Sequence, residues 1–230
     1  PDGSRIAFSS RRNGYWDIYI LSLANGLLTR VSDTPQYDGS PTWSPDGKWL
    51  AYETYIDSNL EIVLHSLADI DQPPIRLTED PAADYSPKWS PQGRQIAFVS
   101  TTSGDEEIWI ADLDKVDDRF KNITQNETAI DTSPDWSPDG HSLAWTSHQN
   151  GIDELVIQDM TDENSSPRMI GSGKVVTWSP EGYVLGAVLQ TPDQNALVAY
   201  RLLDGKLGLP PAEMTGVIYG MDWYTGALPT

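Results

Sequence analysis

The chain has 230 residues, 38% of them hydrophobic and 21% charged, an ordinary make-up for a globular protein. Its 15 basic and 34 acidic side chains give a net charge of −19, a field that repels phosphate backbones and anionic membrane surfaces, so no nucleic acid is expected as partner and no membrane insertion. With no cysteine there are no disulfides, thiolate metal sites or Cys nucleophiles; a periplasmic or extracellular location in a bacterium stays open.

The chain opens on Pro1-Asp2-Gly3, inside a pattern that recurs later, and is expected to be a processed chain or a piece of a longer one. A first apolar triplet, Ile6-Ala7-Phe8, is followed by Asp17-Ile18-Tyr19-Ile20 and by Val31-Ser32. Then comes Trp43-Ser44-Pro45-Asp46-Gly47, and the cycle repeats. Equivalent strings begin at Trp89, Trp136 and Trp178, with spacings of 46, 47 and 42 residues, and Trp223 follows 45 residues later. Seven residues beyond each of the four Trp residues lies another triplet: Leu50-Ala51-Tyr52, Ile96-Ala97-Phe98, Leu143-Ala144-Trp145 and Leu185-Gly186-Ala187. The next runs open with an acid at Glu61, Glu107 and Glu154; the fifth, Ala196 to Ala199, lacks it.

Short β-branched and aromatic runs bounded by Gly, Pro, Asn and Asp predict strands, and no stretch carries a sustained helical period. Four strands in a period of 40–50 residues predict a propeller blade. The expected fold is all-β: a β-propeller of four-stranded blades, five of them visible, forming one domain over residues 1–230. Pro presets φ at the first turn position and Gly tolerates positive φ later, so Pro-Asp-Gly reads as the hairpin between the two innermost strands, A and B. Trp43, Trp89, Trp136, Trp178 and Trp223 then stand on A strands and pack between blades. The chain begins after an A strand would end, so residues 219–223 are expected to complete the first blade and close the ring, leaving no exposed edge.

The string Trp-Ser-Pro-Asp-Gly-Lys-x-Leu-Ala-Tyr at residues 43–52 resembles the TolB-like propeller repeat. Arg76-Leu77-Thr78 and the later Asp84-Tyr85-Ser86-Pro87-Lys88-Trp89 are similar to its second half. The resemblance covers essentially the whole chain. It implies a propeller that is usually six-bladed, so the five blades are either a complete ring or part of a larger one. Similar propellers are non-catalytic modules, accompany prolyl-oligopeptidase-like hydrolases, or occur as polysaccharide lyases.

Strand alternation sends the D–A and B–C loops to one face and the A–B and C–D loops to the other. The second face carries Asp69, Asp71, Asp114, Asp117, Asp118, Asp162 and Glu163, read as solvated turns. The first carries Arg11, Arg12, Tyr15, Trp16, Tyr37, Tyr55, Tyr85 and His148, the aromatic and Arg content of a recognition patch. Asp38, Asp84 and Asp131 share one repeat position, five before the Trp, near the channel mouth. Each either caps its own turn through backbone N–H groups or joins the others around a cation such as Ca²⁺. No Gly-x-Ser-x-Gly elbow or Gly-x-x-x-x-Gly-Lys phosphate loop is present, and His65, His141 and His148 fall on different elements. The expected function is a binding or scaffold module for protein or peptide partners, with no cofactor; the alternative is the propeller portion of a larger enzyme that gates or presents substrate.

Overall fold

The computed structural model describes residues 1–126, 128–190, 195–203, 207–214 and 221, with the backbone alone at 207–211, 213 and 214. Among these residues every regular element is a β-strand, and the strands form five antiparallel sheets in chain order, the blades of a β-propeller fold. The first sheet has three strands, β1 (Arg5–Ser10), β2 (Asp17–Ser22) and β3 (Leu28–Arg30). The second has four: β4 (Asp38–Trp43), β5 (Trp49–Ile56), β6 (Asn59–Ser66) and β7 (Ile75–Arg76). The third is β8 (Asp84–Trp89), β9 (Gln95–Ser100), β10 (Glu107–Asp112) and β11 (Phe120–Asn122). The fourth is β12 (Ile130–Trp136), β13 (Ser142–Gln149), β14 (Ile152–Asp159) and β15 (Arg168–Ser172). The fifth is β16 (Lys174–Trp178), β17 (Val184–Gln190), β18 (Asn195–Arg201) and β19 (Leu207–Met214). Among the described residues the first sheet begins at its B strand, β1. Trp223 and the expected closing segment 219–223 lie outside the described residues.

Contacts cluster into two compact units, residues 1–125 and 126–230. Within the first, blades stack face to face because the B strands are apolar on both sides. Leu50 and Tyr52 of β5 join Ile18, Ile20 and Val31 in one buried cluster, while Ala51, pointing the other way, joins Ile96, Phe98 and Ala111. A sheet covered on both faces reads as a continuous triplet rather than as strict alternation. Each fully buried Leu, Ile or Phe contributes about 1.5–3 kcal/mol by leaving water.

Three of the repeat Trp residues stand in or against the buried clusters between blades. Trp43 sits against the first-blade cluster, with the Arg5 guanidinium 4.5 Å from its ring centre. Trp89 packs on the cluster shared by blades two and three, and Trp178 on that shared by blades four and five. Trp136 is likewise buried.

The Ser-Pro-x-Gly turn closes through the same backbone bond in all four copies. The Ser carbonyl accepts from the Gly N–H at 2.8–2.9 Å, and Gly47, Gly93, Gly140 and Gly182 all have φ between 66° and 98°. The Ser hydroxyl adds a second tie, accepting from the backbone N–H five residues on in three copies, at Trp49, Ser142 and Val184.

Strand A holds a feature the repeat pattern did not predict. In β4, β8, β12 and β16 the pairing with the B strand slips at one equivalent place, a β-bulge. There Ser40, Ser86, Ser133 and Val175 adopt φ of 51–58°, the left-handed region that non-glycine residues rarely enter. In the first three copies a Pro follows, which disfavours the right-handed alternative for the Ser.

Candidate functional site

The aromatic loop residues of the first two blades are brought together by backbone hydrogen bonds. The Trp16 carbonyl accepts from the Asp38 N–H at 2.9 Å, and the Tyr37 carbonyl accepts from the Tyr55 N–H at 3.0 Å. These two bonds lay the B–C loop of blade one, the start of β4 and the end of β5 side by side. Tyr15, Trp16, Tyr37 and Tyr55 remain 38–53% exposed, so four large rings share one solvent-facing edge. Arg11 and Arg12 are exposed beside them, and the Arg12 guanidinium stands 5.8 Å from the Tyr19 ring centre. Rigid aromatics beside Arg give large contact area at low ordering cost.

Glu53, in the middle of β5, fixes part of this edge. It is 5% exposed, accepts from the Tyr37 hydroxyl at 2.8 Å, and accepts from the Ser86 N–H of the next blade at 2.7 Å. That N–H is available because the bulge turns it out of the ladder. Burial first, then the Glu53 carboxylate, pushes the Tyr37 phenol up, so it stays a donor. Sequence reasoning passed over Glu53; its signal was a lone acid inside Leu-Ala-Tyr-Glu-Thr-Tyr-Ile, a strand otherwise without charge.

Tyr85 is half-buried and donates its hydroxyl to Glu106 at 2.7 Å, so that hydroxyl is already engaged. His148 belongs to the second unit. It lies within β13 rather than in a B–C loop, with Nδ1 2.7 Å from Asp153, whose other oxygen meets Lys174 Nζ at 3.3 Å. Tyr37 lies in the D–A loop just before β4, whereas Asp38, Asp84-Tyr85 and Ile130-Asp131, also expected in D–A loops, stand at the very start of the A strands, because strand pairing extends to the loop mouth.

Asp38, Asp84 and Asp131 are all 1–2% exposed. Asp38 Oδ2 accepts from the Thr34 hydroxyl at 3.1 Å, while its Oδ1 has no partner. Neither oxygen of Asp84 accepts a well-formed bond, although the Ser100 and Thr78 hydroxyls act on it; burial pushes its pKa up to about 7, with Asp80 and Glu61 adding to the shift. Among the described residues no three His, Asp or Glu side chains come together as a group that could hold a metal.

A second row of buried acids opens the C strands. Asp17 receives Arg30 Nη2 at 2.6 Å; Glu61 receives the Thr78 hydroxyl at 2.7 Å and Arg76 at 3.1 Å; Glu107 receives Ser103 and Asn122. Ser32, Thr78 and Thr124, at matching positions, accept from the N–H just after each acid. These acids are therefore satisfied joints between strands C and D of their own blades.

The acids expected on the opposite face, Asp69, Asp71, Asp114, Asp117, Asp118, Asp162 and Glu163, are all exposed. Asp71 has a second position of note, in the wall of a cleft of about 790 Å³ between the first and second blades. Sequence reasoning missed this cleft, because its walls come from segments up to 44 residues apart, Arg30 to Pro74.

Stacked antiparallel meanders, Trp anchors between blades and a loop face rich in aromatics define a β-propeller. The chain belongs to the TolB beta propeller domain family, which matches it over residues 40–208. The Tol-Pal system protein TolB of Francisella tularensis subsp. mediasiatica is 40% identical over 50 residues, 22% of this chain and 12% of that protein. TolB from Acinetobacter baumannii superposes with a TM-score of 0.78 at 22% identity, over 90% of this chain and 51% of that one. Prolyl oligopeptidase B from Galerina marginata shares the fold at 16% identity and a TM-score of 0.63, over 92% of this chain and 33% of that one. The chain thus matches only about an eighth of the length of the curated TolB relative and about half of the A. baumannii structure.

Proposed function

We propose that this propeller is a non-catalytic module that binds a protein or peptide through the face bearing Arg11, Arg12, Tyr15, Trp16, Tyr37 and Tyr55. The observation that carries the reading is the single edge of four exposed aromatic rings held by the Trp16–Asp38 and Tyr37–Tyr55 backbone bonds. Membership of the TolB propeller family supports it, as does a relative named for the Tol-Pal system. The same reading assigns the protein to the bacterial periplasm or the extracellular space, which cell fractionation tests.

The chain has no cysteine, so single-Cys variants carry a photocrosslinker at one chosen place. Crosslinks to a captured partner are expected from Trp16→Cys and Tyr55→Cys and not from Asp117→Cys. Trp16→Ala is expected to weaken binding about tenfold or more, the loss typical of a central aromatic anchor. Crosslinks confined to Asp114, Asp117 and Asp162 would overturn the reading.

A second reading rests on the fold shared with prolyl oligopeptidase B, in which this chain matches 33% of the length. In it the propeller gates or presents substrate to a catalytic domain of the same polypeptide. A full reading frame that encodes a hydrolase or lyase segment beside these residues would favour it, and one without such a segment would remove it.

A further inference from the structure

We propose that the cleft between the first and second blades seats a basic side chain, Arg or Lys, of the bound peptide, with Asp38 Oδ1 as its hydrogen-bond acceptor. This rests on the peptide-binding reading above and names the residue type it selects. One wall of the cleft is β3 and the segment after it, residues 30–38; the other is β5, the turn after it and the loop at residues 70–74.

Charge points to a cation. Asp33, Asp38, Asp57 and Asp71 line the cleft; Asp33 is paired with Arg30, the one guanidinium of the lining, and Asp57 with Arg76 at 3.1 Å, so Asp38 and Asp71 supply the charge a cation would meet. Arg30 is already engaged, at 2.6 Å from Asp17 and 2.6 Å from Asp33. Its charge is therefore not free to receive an anion.

The acceptor is Asp38. The residue lines the cleft and is 1% exposed; its Oδ2 is held by Thr34, and its Oδ1 is buried without a donor. A buried carboxylate oxygen lacking a donor is destabilising, and a ligand N–H that reaches it recovers that loss on binding.

Shape and lining point to a long side chain on a peptide rather than to a bare ion. Tyr52, Tyr55, Ile56 and Pro73-Pro74 give apolar walls, suited to the methylene stem of Lys or Arg. Tyrosine faces also attract cations. At about 790 Å³ the cleft exceeds one side chain and falls in the range of peptide and cofactor sites. Both ring nitrogens of His65 are engaged within the fold: Nε2 donates to the Ile70 carbonyl at 3.0 Å, and Nδ1 is 3.3 Å from the Tyr52 hydroxyl. Tyr55 stands both in the cleft and on the exposed aromatic edge, so one peptide reaches both.

The test is an NMR titration of the intact chain with acetyl-Ala-Arg-Ala-amide, acetyl-Ala-Lys-Ala-amide and the neutral acetyl-Ala-Gln-Ala-amide. Both basic peptides are expected to bind at least tenfold more tightly than the Gln peptide, with shifts at Tyr52, Tyr55 and Ile56. Asp38→Asn should remove that preference, Asp71→Asn should weaken it several-fold, and Asp117→Asn should leave it intact. If Asp38→Asn does not fold, Asp71→Asn and Tyr55→Ala carry the test. Equal binding of the Gln peptide, unchanged binding in the Asp71 and Tyr55 variants, or displacement of the basic peptides by stoichiometric CaCl₂ would overturn the proposal. If none of the peptides binds while a partner still crosslinks at Trp16, the cleft assignment falls and the binding face stands.

Discussion

Asp84 shows how one repeat position can hold a charge at odds with its surroundings. Burial pushes its pKa from an ordinary 3.8 up to about 7, and the Asp80 and Glu61 carboxylates add to the shift. Between those two pH values the folded chain holds a proton that the unfolded chain has released. Stability therefore falls as pH rises from about 4 to about 7 and levels off above that. Asp84→Asn removes the titrating group, so its stability relative to the parent should rise through the same window, by ~4 kcal/mol at most. Thermal melts of both proteins at pH 4, 6 and 8 check this; a gap that does not change with pH would mean that Asp84 stays ionised in the fold. The sequence did mark Asp38, Asp84 and Asp131 as equivalent, because they stand at one offset from each Trp. It could not show that Asp38 faces a cleft while Asp84 lies among Thr78, Ser100 and Glu61, since those neighbours come from other strands and another blade.

At the scale of the strand, two kinds of positive-φ position behave oppositely under substitution. Gly140 closes a Ser-Pro-Asp-Gly turn at φ 70°, where a Cβ is strained; Gly140→Ala should cost about 1 kcal/mol or more. Val175 occupies the bulge at φ 58° with a β-branched side chain, the poorest type for that region. Val175→Gly should therefore relieve strain of about 1–2 kcal/mol, less the added chain entropy of Gly. Melting temperatures of the two variants should move apart, down for Gly140→Ala and up by a few degrees for Val175→Gly. A fall for Val175→Gly would mean that the Val side chain contributes more by packing than its backbone loses. The turn was legible because Pro and Gly announce their dihedrals. The bulge was not, because Ser carries no such preference, and its Ser-Pro-x-Trp setting reads simply as strand. Strand starts were misplaced for a related reason: Asp38 and Asp84 look like loop residues by type, yet the ladder with the B strand begins at them.

Over the whole molecule the acidic excess sets both stability and choice of partner. With 34 acidic and 15 basic side chains, most carboxylates have no basic side chain available to them. Among the described residues several of the ion pairs join solvent-exposed groups, such as Lys48–Asp46 and Arg94–Asp114, which are worth little. Repulsion between unpaired carboxylates should therefore outweigh attraction between pairs, and added salt should screen mainly the former. Raising NaCl from 50 to 500 mM at pH 7.5 is expected to raise the melting temperature by a few degrees. The same salt should slow association with a basic partner, because the steering field is screened over a Debye length of about 10 Å at 0.1 M and about 3 Å at 1 M. The dissociation rate should change much less if the decisive basic side chain sits against Asp38, shielded from solvent. The two measurements together are diagnostic. A melting temperature that falls with salt would place the balance in the ion pairs, and a dissociation rate as salt-sensitive as association would put the partner's charge on the open surface rather than inside the cleft.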